Sequence, residues 1–301
     1  MITTFEQIFD KLRSKPKKRL VAAWAVDDHT INAARLAVEA GIVDATLVGD
    51  EKMIRQVCAT EKIDPSIFKI VPIDEELKAI SLAVDLINAG EGDILMKGLC
   101  STDKYMRAIL NKEKGLLPPK AVLSHVTVLS NPQYHKLLVL GDIAVIPIPD
   151  LKQKIAITKY LVNTAKAIGI EKPKVAIVTA TEQMLPGMPA CVDAAIISKM
   201  ADRGQISGCF VDGPLALDVA LSAEAVAVKK LVSPVAGDAD CLVFPNLESA
   251  NVFYKVNSLL CVGAQLAAMV AGAKVPCVLS SRADSIDTKL NSIALAALTA
   301  K

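Results

Sequence analysis

The chain has 301 residues, room for one large domain or two ordinary ones, and is 52% hydrophobic against 22% charged, a balance that builds a sizeable core and excludes a disordered chain. Its formal net charge of +2 and its 4% of aromatic residues exclude an electrostatic nucleic-acid or membrane-surface binder and a base-stacking platform. Seven widely spaced cysteines form no C-x-x-C pair and have no histidine at metal-ligand spacing, so no disulfide framework or zinc site is expected and the thiols point to a reducing compartment.

The N-terminal stretch "MITTFEQIFDKLRSKPKK" is charged throughout and does not read as a secretory signal. Its basic run, Lys15 to Arg19, reads as a solvated turn before the first strand. "RLVAAWAV" (19–26) is that strand. "DDHTINAARLAVEAG" gives a helix that stops at Gly41. "ATLVG" (45–49) is a strand, with a helix from Asp50. Residues 74–90 read as a helix ending at Gly90, "DILMKG" (93–98) as a strand, "STDKYMRAILN" (101–111) as a helix with strong capping residues, and "AVLSHVTVL" (121–129) as a strand. Further strands fall at 137–140, 174–180, 208–213 and 241–245. Helices fall at 151–168, 190–202 and 222–231, with a long one at 247–273. "VPCVLS" and a helix from about Ser285 end the pattern. This alternation is the signature of a parallel α/β sheet. The polar, Asn- and Pro-containing stretch at 125–135 is the candidate domain boundary. Residues 256–273 carry no formal charge, but Asn257, Ser258, Gln265 and many small residues favour a buried or interface helix over a membrane span. A soluble, globular, cytoplasmic protein is expected.

Ligands of such sheets bind past the C-terminal ends of the strands, so the polar residues there are the candidates. "MKGLCSTDKYMR" is a strand, a glycine turn and a helix start. Helix starts offer unpaired N–H groups and favour anions. Lys97 adds a point charge, Gly98 makes the turn, Ser101 or Thr102 caps the helix, and Arg107 lies six residues further on. An ordinary strand-to-helix turn explains the same residues. The segment lacks the P-loop lysine signature, and "GEGDILM" lacks the third glycine of a dinucleotide fingerprint. Cys100 has the position of an activated thiol, but no base lies near it in sequence, so a small buried residue is the stronger reading. His29 reads as a first-turn helix residue, His135 as exposed, and His125 as a residue following a strand end.

The segment "LSSRADSIDTKL" (279–290) holds two further possibilities. Asp284 or Ser285 caps the last helix and Asp287 complements its dipole. Capping leaves Ser281 and Arg282 unexplained, because an arginine at the end of an apolar strand needs an anion. Phosphate and carboxylate both fit its planar fork.

The segments "MKGLCSTDKYMRAILNKEKGL", "LSHVTVL", "GQISGCFVDGPLALDVALS", "AGDADCLVFPNLESANVFYK" and "SSRADSIDTKLNSIALA" resemble, in order and from about residue 90 onward, the phosphate acetyl/butyryltransferases. "MKG", "LSHV" and "SRADS" look more like the phosphate butyryltransferase branch than the phosphotransacetylases. The resemblance implies two doubly wound α/β domains flanking a cleft, similar to the isocitrate/isopropylmalate dehydrogenases. Residues 1–127 and 274–301 would form the first, with the phosphate and catalytic edge, and residues 128–273 the second, with the CoA wall and the dimer surface. It implies reversible transfer of a short acyl group between coenzyme A and phosphate by a homodimer or higher homo-oligomer. Its partners are acyl-CoA and inorganic phosphate. No metal and no cofactor is implied beyond the coenzyme A thioester as substrate.

Residue by residue, Ser281 resembles the serine that hydrogen-bonds the thiol or the developing oxyanion. Arg282 resembles the arginine that binds phosphate and the leaving-group charge, and Arg107 a second phosphate-site arginine. An aspartate after the Ser-Arg pair resembles the base that takes the proton of CoA. Asp284 fits the "SRADS" pattern directly, but Asp287, the family position once a gap is allowed, is the favoured base, with Asp284 as the alternative base or the cap of the last helix. A further arginine of the phosphotransacetylases has no match in the first ninety residues, and Lys97 would supply that charge. Gly98, Ser101, Thr102 and His125 complete the expected phosphate and CoA contacts. Three rivals share this reading: a decarboxylating dehydrogenase of the same fold, with metal-binding aspartates drawn from Asp212, Asp218, Asp238 and Asp240; a phosphate:acyl-carrier-protein acyltransferase; and a non-catalytic acyl-CoA-binding protein.

Overall fold

The computed structural model describes residues 1–279 and 284–301. The chain divides into two compact units. A terminal unit holds Phe5–Leu123 and Leu266–Lys301, and a central unit holds Met1–Thr4 and Ser124–Gln265.

The first half of the terminal unit runs α1 (Phe5–Arg13), β1 (Lys18–Ala23), α2 (Asp28–Glu39), β2 (Val43–Gly49), α3 (Glu51–Thr60), β3 (Lys69–Pro72), α4 (Glu76–Asn88), β4 (Ile94–Lys97) and α5 (Thr102–Ile109). Local chemistry sets these bounds. Asp27 caps α2, its carboxylate accepting from Thr30 N at 3.0 Å, and Asp50 does the same for α3 from Met53 N. Each fills one of the unpaired N–H groups of a first turn. Helix α2 stops where Gly41 turns to a φ of +75°, a conformation that costs glycine nothing.

The central unit follows with β5 (Ser124–Ser130), β6 (Leu138–Gly141), α6 (Leu151–Ala167), β7 (Lys174–Val178), α7 (Pro189–Asp202), β8 (Phe210–Leu215), α8 (Leu217–Leu221), α9 (Ala223–Lys229), β9 (Cys241–Val243) and α10 (Leu247–Leu260). Then come β10 (Gln265–Ala271), β11 (Cys277–Val278) and α11 (Ile286–Thr299), which complete the terminal unit. Strand order in the terminal unit is β3-β2-β1-β4-β11-β10, and in the central unit β5-β6-β9-β7-β8.

Several expectations need correction. The helix expected over 247–273 stops at Leu260, and residues 265–271 are a strand buried at its inner positions. A short apolar run fits a buried strand as well as a helix, and Gly263, at a φ of +83°, separates the two elements. The helix expected at 222–231 is present as α9, but the short α8 before it was not read; Ser222 closes α8 and caps α9, its hydroxyl accepting from Ala225 N. The sheet is not wholly parallel. Strands β5 and β6 pair antiparallel, as do β10 and β11, because each pair is joined by a connection too short for the crossover that parallel strands need. Helix α1 and strand β3 were not read from the sequence. No helix of the described residues is long and apolar enough to cross a membrane.

Candidate functional site

The terminal unit brings three parallel strand ends side by side. Ala23 of β1 lies opposite Lys97 of β4, and Val278 of β11 lies opposite Met96. Residues 24–27, residues 98–101 and Leu279, which follow these strands, therefore leave the sheet at one edge. This is the edge where ligands of α/β sheets bind.

The middle segment is held against its neighbour by backbone bonds. Gly98 N donates to Ala23 O and Leu99 N to Trp24 O, both at 2.9 Å. A Cβ at position 98 would lie 2.7 Å from Ala23 O and from Trp24 C, with Trp24 O closer still. Glycine is required there by close approach of two backbones. On the other side, Tyr105 of α5 is fully buried, and its hydroxyl donates to Leu95 O at 3.2 Å and to Val278 O at 3.3 Å. One side chain thus ties β4 to β11, and burial pushes its phenol well above the ordinary range.

Lys97 is 3% exposed, and its ammonium donates to Cys100 O at 3.0 Å and Gly98 O at 3.3 Å. Cys100 is buried, in keeping with the small-residue reading. Burial pushes the Cys277 thiol of β11 up to about 12. Ser101 caps α5, its hydroxyl accepting from Lys104 N at 3.2 Å. Thr102 is exposed one residue further on. Arg107 stands on the exposed face of α5, paired with Asp103 at 2.9 Å. Such a pair is weak and easily exchanged for another anion.

Ser281 and Arg282 lie outside the described residues. The aspartates after them do not share one role. Ser285 is the cap of α11, its hydroxyl accepting from Thr288 N at 3.1 Å, so Asp284 is not the capping residue. Asp287 sits exposed in the first turn of α11, where a carboxylate complements the helix dipole. Asp284 is half-buried, and its carbonyl meets Nδ1 of His29 at 3.3 Å. Sequence reading placed His29 only in a first helical turn. No spacing links two residues 255 positions apart.

A second residue missed from the sequence is Lys289. It stands in the first turns of α11, the helix that packs on α2, and is 4% exposed. Burial lowers its pKa; Asp27 opposes that shift, Lys97 adds to it, and Asp284 opposes it. The signal was a lysine in register with Ile293 and Ala296 on an apolar helix face.

His125 belongs to the central unit. It is the second residue of β5, not one that follows a strand end, because the strand starts at Ser124. It is 3% exposed; its N–H donates to Asp142 Oδ2 at 2.9 Å and Nδ1 meets the Thr127 hydroxyl at 3.3 Å. The carboxylates considered for a dehydrogenase metal site are engaged by other groups. Asp238 and Asp240 hold Lys136 at 2.8 and 2.6 Å, Lys174 reaches Asp238 at 2.7 Å, and Asp218 pairs with Lys229 at 3.0 Å. Asp212 accepts from Gly213 N at 2.8 Å.

The fold and this edge define a class. The structure superposes on a branched-chain phosphotransacylase from Enterococcus faecalis with a TM-score of 0.82 and 29% identity, over 94% of this chain and 98% of that one. The family model described as phosphate acetyl/butaryl transferase matches residues 3–79 and 74–297, and the chain belongs to that family of acyltransferases. It is 46% identical over 300 residues to a phosphate butyryltransferase of Clostridium acetobutylicum, covering 100% of this chain and 99% of the relative. It is also 42% identical over 298 residues to a phosphate acetyltransferase of Thermotoga maritima, covering 98% and 99%.

Proposed function

We propose that this enzyme is a phosphate butyryltransferase, which converts acyl-CoA and phosphate reversibly to acyl phosphate and free CoA. The observation that carries this reading is the 46% identity to a phosphate butyryltransferase along the whole chain. Acetyl transfer is the second reading, favoured by the 42% identity to a phosphate acetyltransferase.

In the direction that consumes acyl phosphate, a base removes the CoA thiol proton, the thiolate attacks the acyl carbonyl, and the C–O bond to phosphate breaks as phosphate leaves. Asp284 is our choice of base, supported by Ser285 taking over the cap and by the half-buried place beside His29. Arg282 and Arg107 bind phosphate and its leaving-group charge, Ser281 hydrogen-bonds the thiol or oxyanion, and Lys97 stands in for a further phosphate-site cation. Gly98, Ser101 and Thr102 shape the same edge. The enzyme needs no cofactor beyond its thioester substrate and works in the cytoplasm. A homodimer is supported by Val252, Val256, Leu259 and Leu260, large apolar side chains exposed on or at the end of α10.

A panel of acetyl-, propionyl-, butyryl- and branched acyl-CoAs, assayed for phosphate-dependent CoA release, tests the reading. Highest kcat/KM with butyryl-CoA is expected. Turnover confined to acetyl-CoA selects the second reading, and release that needs no phosphate rejects both.

A further inference from the structure

The carboxylate chosen as base stands beside a side chain to which the family resemblance gives no role. Asp284 lies just ahead of α11. The main-chain ladder of that helix begins with Lys289 N donating to Ser285 O at 3.1 Å, so Asp284 stands outside the ladder. Helix α2 packs on α11. His29 is the second residue of α2, and its Nδ1 meets the carbonyl of Asp284 at 3.3 Å. A carbonyl only accepts, so Nδ1 carries the proton and donates. A ring with its proton on Nδ1 donates there whether it is neutral or charged, so the contact needs no change of charge.

The imidazole is carried on a turn that is itself held. Asp27 caps α2, its carboxylate accepting from Thr30 N at 3.0 Å, and the main-chain N–H of His29 donates to Asp28 Oδ1 at 2.8 Å. Two consecutive N–H groups of the first turn are thus fixed by carboxylates. What this does for Asp284 follows from the peptide bond. The oxygen, the carbonyl carbon and the Cα of Asp284 share one plane. A fixed oxygen therefore restrains the Cα from which the carboxylate projects. A reacting group must be held to within about 0.5 Å of its working position. The bond from His29 supplies such a restraint from α2 to a residue that the α11 ladder does not include.

We propose that His29 is a positioning residue of this enzyme, whose Nδ1–H holds the main chain of Asp284 and so aims its carboxylate. The inference rests on the choice of Asp284 as base in the phosphate acyltransferase reading and adds the residue that orients it. It makes a specific split. The loss of His29 slows the chemical step and leaves the binding of both substrates in place.

The full chain is assayed for phosphate-dependent CoA release with His29→Leu, His29→Asn and His29→Gln, each alone and combined with Asp284→Asn. Asparagine carries its amide N–H at the δ position, where Nδ1 stands, while glutamine carries it further out. Urea midpoints first establish that each variant is folded. His29→Leu should lower kcat about tenfold, between the loss of one hydrogen bond and a displacement of the base by about 1 Å. The KM for phosphate and the KM for acyl-CoA should each stay within about twofold of wild type. His29→Asn should recover most of the lost kcat and His29→Gln little of it. Combined with Asp284→Asn, His29→Leu should cost less than about twofold more, because a residue that acts only through the base has nothing left to aim. An unchanged kcat in folded His29→Leu, its full loss persisting beside Asp284→Asn, an Asn variant no better than Leu, or a loss seen in KM rather than kcat would overturn the proposal. An Asp284→Asn enzyme with wild-type kcat would instead remove Asp284 as base, and the role of His29 with it.

Discussion

Gly98→Ala is the sharpest test of the strand edge. The added methyl carbon would lie 2.7 Å from Ala23 O and from Trp24 C, with Trp24 O nearer, all backbone atoms. They have little room to retreat, because Gly98 N and Leu99 N are bonded to those same carbonyls at 2.9 Å. Relief therefore requires the 98–101 segment to move away from β1. Overpacking of this kind costs about 1–3 kcal/mol of stability. The movement also carries Lys97, whose ammonium is bonded to the carbonyls of Gly98 and Cys100, and the Ser101 cap of α5. A displacement of about 1 Å in a positioned catalytic group costs about a hundredfold in rate. We expect a urea midpoint lowered by the equivalent of about 2 kcal/mol and a kcat/KM for phosphate-dependent CoA release lowered about a hundredfold. A Gly98→Ala variant with wild-type midpoint and wild-type turnover would refute the claim that this edge is fixed by backbone contact.

Three further outcomes follow from the geometry. Asp284→Asn should lower kcat by about a hundredfold or more, the usual worth of a positioned base, while Asp287→Asn, at an exposed first-turn position, should cost about 0.3–1 kcal/mol of stability and at least tenfold less activity than its neighbour; the opposite ranking in a steady-state assay would move the base to Asp287. Lys136→Met should destabilise by about 3 kcal/mol, because it strands the buried Asp240 carboxylate that it meets at 2.6 Å, and adding Asp240→Asn should restore part of that loss in chemical unfolding. Desolvation raises Asp238, but hydrogen bonds from Lys136 and Lys174 outweigh it and hold the carboxyl at about 2, below its ordinary 3.8. Its stabilising effect is then fully present above about pH 4 and lost as pH falls towards 2; with the side chain 40% exposed, solvent screening reduces the effect to about 1 kcal/mol, readable as a fall in the urea midpoint that Asp238→Asn abolishes.

The sequence carried the β4–α5 segment well. The apolar "ILM" run, the glycine and the Ser101 cap are local signals, and each stands as read. Where two elements of one period met, it misled: "QLAAMVA" is apolar throughout, so nothing in its pattern separates a buried strand from the end of α10. The assignment of the cap in the last helix was open between Asp284 and Ser285, because both are good capping residues one position apart. Only the backbone, extended at Ser285, decides it. His29 and Lys289 were out of reach for another reason. Their importance comes from α2 and α11 packing together across most of the chain's length, a contact that no local rule encodes.

The terminal unit is built from Phe5–Leu123 and Leu266–Lys301, with the whole central unit encoded between them. During synthesis, β1 and β4 therefore emerge long before the strand and helix that complete their edge. Until β11 is added, Tyr105 has only Leu95 O to bond, and Asp27 lacks Lys289 altogether. A chain interrupted anywhere in the central unit would keep the early strands yet hold neither Arg282 nor Asp284. On the roles proposed for these two residues, catalysis becomes available only once the last strand and helix have been made.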